Sequence, residues 1–151
     1  MKTYVINTSV AVKWYIPEPL SAAALYYLEL YRQEEARLLA PDLIIAKMGN
    51  ILWKKVRQNE LTIQDARQVG DILSNYCPLR LISSSKLMPA ALEIAISIGF
   101  TIYDGLYLAL AVSVEAPLVT ADQEIKKLAP DIKALQNITI KQRAQQEIKV
   151  N

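Results

Sequence analysis

The sequence predicts one α/β domain in which helices cover both faces of a parallel sheet. Three observations lead there. Short apolar or β-branched runs alternate along the chain with longer runs of helical periodicity, the pattern of βα units. Those short runs are apolar nearly throughout, as strands buried on both faces are. The chain has 151 residues, 52% hydrophobic and 21% charged, which suits a single packed core. No repeat, linker or low-complexity segment divides it.

In chain order, residues 2–6 hold TYVI and read as the first strand. Asn7, Thr8 and Ser9 are helix-capping types, and VAVKWYI follows as a short helix stopped near Pro17. Residues 20–37, rich in Ala and Leu, read as a helix, and Leu38-Leu39-Ala40 as a minimal strand. Pro41-Asp42 opens a helix running to residue 59, whose apolar stripe is Leu43, Ile44, Met48, Ile51, Leu52 and Val56. Thr62 caps the next helix, with Asp65 in the capping-box place. Residues 79–82 read as a strand and 84–98 as a helix ended by Gly99. Thr101 to Tyr103 then leads into Asp104 and an apolar helix to about residue 115. PLVT, residues 117–120, is a further strand, with a short helix over 122–128. A weak strand near 137–140 and a polar tail frayed from about residue 141 complete the expectation.

Composition excludes several chemistries. There is no histidine, so His-based triads and His-ligated zinc are ruled out. One cysteine, Cys77, forbids an internal disulfide and suits a reducing compartment. A net charge of +2 does not by itself imply nucleic-acid binding. The longest apolar run, residues 105–114, falls well short of the roughly 20 residues a membrane span needs. The N-terminus carries no apolar signal-peptide core, so a soluble, cytoplasmic protein is expected. Hydrolytic chemistry would have to rest on carboxylates, hydroxyls, lysine or an oxygen-ligated metal.

In open α/β sheets, sites gather at the carboxyl ends of strands. Asn7, Thr8 and Ser9 follow the first strand, Thr120 and Asp122 follow PLVT, and Asp104 begins an apolar helix. Each has a plain alternative role as a helix cap.

Taken together they say more. YVINTSVAVKWYIPEP, APDLIIAKMGNILWKK, GFTIYDGLYLALA and APLVTAD occur in this order over about the first 130 residues. In that order they resemble the PIN-domain pattern, and most closely the VapC-type toxins, the ribonuclease half of toxin–antitoxin pairs. The resemblance implies a PIN-like three-layer α/β/α fold over residues 1–151, with a parallel sheet of four to five short strands. It also implies four converging acids that hold Mg²⁺ or Mn²⁺ and cleave RNA with a metal-activated water. A homodimer and a cognate antitoxin are the implied partners.

Carried over position by position, the first two acids fall on Asn7 and Lys47. The third and fourth fall on Asp104 and Asp122, while Ser9 and Thr120 match supporting hydroxyls. A site of formal charge −4 in the family therefore has a neutral residue, one cation and two carboxylates here, leaving −1. Weak or lost metal binding is expected, with the Lys47 ammonium bridging Asp104 and Asp122 in the metal's place. If Lys47 instead points outward, its stem covers Ile44 and Ile51 and the bridge fails.

Three functions stay open. The chain is an impaired PIN protein that keeps its partner contacts, or a ribonuclease using one metal at Asp104 and Asp122, or an interaction domain without catalysis. The first includes an inactivated toxin, since Asp to Asn and Glu to Lys each need one G-to-A change. Lys54, Lys55, Arg57, Lys126 and Lys127 either meet RNA phosphates or form solvated faces. Tyr26, Tyr27 and Tyr31 either stack on bases or pack. Trp14 and Trp53 are expected in the core, and Cys77 to be inert.

Overall fold

The structure, a computed structural model, describes residues 1–128. The expected strand at 137–140 and the tail beyond it lie outside the described residues. Four strands form one parallel sheet in the order β3-β2-β1-β4, with β1 Lys2–Ile6, β2 Ala36–Pro41, β3 Leu79–Ile82 and β4 Leu118–Val119. These are the four strands of the described residues; the fifth expected one, at 137–140, lies outside them. The helices are α1 Thr8–Ala11, α2 Ser21–Arg32, α3 Leu43–Arg57, α4 Ile63–Asn75, α5 Ser84–Ile98, α6 Ile102–Ser113 and α7 Gln123–Leu128.

Tyr4, Val5 and Ile6 are consecutive and all buried. Successive strand side chains point to opposite faces, so both faces of β1 are covered, and the three-layer arrangement follows. From the helices, α6 packs on β1 and β2, while α2 and α3 pack on β2. α6 owes its place to its sequence: Gly105 through Ala111 is buried without interruption. A Cβ at Gly105 would stand 2.6 Å from the Ala91 carbonyl oxygen, so glycine lets α6 lie close against α5 there. Among the described residues no single helix is long and apolar enough to cross a membrane.

Two expected elements differ. The helix expected over 20–37 ends at Arg32, because Glu34 takes a left-handed turn (φ 59°) and the chain re-enters the sheet at Ala36. Strand β2 is accordingly longer than the expected three residues, with Ala36 and Arg37 paired to Lys2 and Thr3. The segment expected as one short helix before Pro17 is α1 followed by a 3-10 turn, Val12–Trp14. Trp14 is buried as expected, its indole Nε1 donating to the Ala24 carbonyl at 2.8 Å. Trp53 is not: it is 54% exposed. It lies off the apolar stripe that buries Ile44, Met48 and Leu52, and so faces solvent.

Candidate functional site

The chain lays down β1, β2 and β3 in one direction, then returns to place β4 on the other side of β1. By the rule for open α/β sheets, that reversal makes the crevice at the carboxyl ends of β1 and β4 the place where a site is expected. Asn7 and Ser9 follow β1 and Thr120 and Asp122 follow β4, so topology alone brings these four together.

Asn7 is the N-cap of α1 and is buried. Its backbone N–H donates to Val119 at 3.0 Å, and its side-chain Oδ1 accepts from the Ser9 N–H at 3.0 Å. The Ser9 hydroxyl accepts from the Ala121 N–H at 3.0 Å and lies 3.4 Å from the Thr120 hydroxyl. Thr120, almost fully buried, accepts from the Asp122 N–H at 3.0 Å, and Asp122 Oδ1 accepts from the Glu124 N–H at 2.9 Å. This hydroxyl lattice stitches the two strand ends into one rigid floor. The capping role open to Asn7 and Asp122 is thus one that both perform.

The third side of the crevice is the start of α6. Thr101 caps it, its hydroxyl accepting from the Asp104 N–H at 3.2 Å, and holds Asp104 in the first turn. Thr101-x-x-Asp104 has capping-box spacing, the signal by which Thr101 was readable from sequence. One turn on, the Tyr107 hydroxyl meets Thr8 Oγ1 at 2.5 Å, tying α6 to α1 beneath the site. Burial pushes the Tyr107 phenol up to about 12. Burial also raises the Asp104 carboxyl above its ordinary value, and the neighbouring Asp122 charge adds to the rise. The Thr101 hydrogen bond and the Lys47 charge offset part of it. Asp104, Asp122 and Lys47 therefore share one electrostatic neighbourhood.

Lys47 is half-buried on α3 and turned toward the crevice, which the outward alternative did not expect. It does not bridge the aspartates. Its Nζ lies 5.0 Å from the centroid of the Tyr103 ring and forms no ion pair among the described residues. The exposed Tyr103 face, next to Asp104, offers the ammonium an attractive surface without the cost of drying two carboxylates. Tyr103 was missed in the sequence because an aromatic just before a helix has no distinguishing pattern.

Comparison with known proteins now decides the family. The PIN domain model matches residues 4–130. The chain belongs to the PIN-domain family. Its curated relatives include Ribonuclease VapC3 of Pyrobaculum aerophilum, 27% identical over 83% of this chain and 94% of that protein. Ribonuclease VapC1 of Mycobacterium tuberculosis is 31% identical over 57% of this chain and 63% of its own length. The crystal structure of PAE2754 from Pyrobaculum aerophilum superposes with a TM-score of 0.68 at 23% identity, covering 96% of this chain and 88% of that one. That likeness is one of fold, and it agrees with the expected PIN-like architecture.

PIN and VapC nucleases generally depend on a divalent metal, so the donors present bear on whether this chain fits one. Hard divalent cations select several oxygen ligands of net negative charge. Here the carboxylates are two, Asp104 and Asp122. Asn7 Oδ1 and Ser9 Oγ already accept backbone N–H groups, and an ammonium stands beside the pair. No group of three Asp, Glu, His or Cys suited to a metal occurs among the described residues. Among the described residues, the charged groups on this side of the crevice are thus two carboxylates and one ammonium.

Proposed function

We propose that this chain is a VapC-type PIN protein that keeps the fold and the binding roles of that class while its metal-dependent cleavage is impaired. The observation that carries the reading is Lys47: a half-buried cation on the crevice side of α3, its Nζ 5.0 Å from the centroid of the Tyr103 ring next to Asp104, at the position where the family pattern has an acid. Two unit charges about 4 Å apart repel by about 4 kcal/mol at an effective dielectric of 20, so an ammonium on this wall opposes a cation held between the two aspartates. The VapC ribonuclease relatives support RNA as the ligand class and an antitoxin of the VapB type as the protein partner. A homodimer and a cytoplasmic location complete the reading.

One observation favours a second reading, a ribonuclease using a single Mg²⁺ or Mn²⁺. Asp104 and Asp122 are near enough for each charge to be felt by the other, and a bound cation would relieve that repulsion. Calorimetric titration with Mn²⁺ separates the two. Under the first reading wild type shows no binding, Lys47→Glu gains binding by at least an order of magnitude, and the Asn7→Asp, Lys47→Glu double variant gains metal-dependent RNA cleavage. Tight binding by wild type, unchanged in Lys47→Glu, would establish the second.

A further inference from the structure

Helix α3 carries no acidic residue, and its exposed side continues away from the crevice. Lys47, Asn50, Trp53 and Arg57 follow one another at intervals of three or four residues, so they form one line on the helix surface. The line is about 15 Å long at 1.5 Å of rise per residue. At each end a cation lies over an exposed aromatic ring. Lys47 Nζ is 5.0 Å from the centroid of Tyr103, which is 51% exposed, and the Arg57 guanidinium is 5.1 Å from that of Trp53, 54% exposed. Lys54 adds a further charge beside the line, whereas Lys55 is held by Glu60 at 2.9 Å and Glu18 at 3.7 Å and belongs to the fold.

Two exposed rings, each with a cation beside it, make a surface that a flat and anionic occupant would cover favourably. Rings alternating with cations that form no ion pair among the described residues suit an occupant that is itself alternately flat and anionic. A protein partner's apolar face would leave Lys47, Lys54 and Arg57 buried without counter-charge. A single strand of nucleic acid supplies both requirements: bases stack on the rings while phosphates meet the cations. Stacking accepts any base, so the aromatic part of the contact is tolerant of sequence.

We infer that the Tyr103–Lys47–Asn50–Trp53–Arg57 line is a stacking track that holds a single-stranded RNA segment leading into the crevice, and that it works without metal. The choice of RNA rests on the function proposed above; the track itself does not need the crevice to cleave. Trp53 and Arg57 are positioning residues in this scheme.

The test is fluorescence anisotropy of a labelled single-stranded oligoribonucleotide of about 12 nucleotides, titrated with the full chain in EDTA and moderate salt. Wild type binds, and its indole emission is quenched. Trp53→Ala weakens binding by roughly tenfold, Trp53→Phe restores most of it, and Arg57→Ala weakens it by a similar factor. Because Trp53 is exposed and Trp14 is buried, the emission lost on binding disappears in Trp53→Phe, and circular dichroism shows each variant folded. Equal affinity of wild type and Trp53→Ala would overturn the track. So would a change from dimer to monomer in Trp53→Ala with RNA affinity unchanged, which would make this face a protein interface. The metal titration reads the crevice alone, so a failed track and a failed crevice give different results.

Discussion

At the scale of single residues, the crevice is a balance of few charges. Asp104 sits in a helix first turn, half-buried, and burial with the Asp122 charge raises its carboxyl above the ordinary 3.8. A carboxyl raised on folding binds its proton more tightly in the native state. Its ionised form therefore costs stability, and that cost grows as pH climbs from 3.8 through the raised value. Asp104→Asn should raise the melting temperature at pH 7 in EDTA, and the gain should vanish as the solution is acidified below 3.8. Calorimetric melts of both proteins across that range check it; an equal difference at every pH would refute the assignment. At this scale the sequence was legible wherever topology does the placing. Asn7, Ser9, Thr120 and Asp122 meet because β1 and β4 are neighbours, and strand ends can be read from a single chain. The position of the Lys47 ammonium was not legible, because its partner, Tyr103, arrives from an element 56 residues away and no local pattern joins them. Trp53 was misplaced by residue type alone, although its position off the apolar stripe of α3 already put it outside the core.

At the scale of elements, local chemistry marked most boundaries. Strand β3 and helix α5 occupy the residues expected of them, because Ser83 and Gly99 punctuate the helix, Gly99 in the left-handed conformation it alone adopts freely. The C-terminal end of α2 was unreadable: Glu34 takes φ 59° without glycine's help, held in the turn by Glu34 N–H to Tyr31 and Glu35 N–H to Leu30 carbonyls. The pull of β1 on Ala36 and Arg37 decides the matter, and that is a tertiary effect. The contact between α5 and α6 offers a prediction at this scale. Gly105→Ala would drive a methyl to 2.6 Å from a backbone oxygen that cannot rotate away. The helices must separate, at a cost of about 1–3 kcal/mol, to be read as a shift in the urea midpoint. Since Asp104 adjoins Gly105, the same substitution should disturb the crevice, whereas Gly70→Ala, which meets open space on α4, should not.

At the scale of the whole molecule, apolar surface is left outside the core. Leu25 and Tyr31 on α2 are exposed, and Met88, Leu92 and Ile96 form a stripe at four-residue intervals on α5. Surface of this kind is what a homodimer would cover, and sedimentation velocity at micromolar concentration should give a dimer; a monomer at every concentration would remove that part of the proposal. The order β3-β2-β1-β4 has a consequence in time. Ser9 and Thr120, which meet across the crevice floor, are 111 residues apart. A ribosome adding about 5–20 residues per second takes roughly 6–20 seconds to bridge that interval. Until β4 emerges, β1 has one open edge and the crevice lacks the wall that carries Thr120 and Asp122. The nascent chain thus cannot assemble this site during that interval, and any partner that recognises the finished crevice meets it only after that delay.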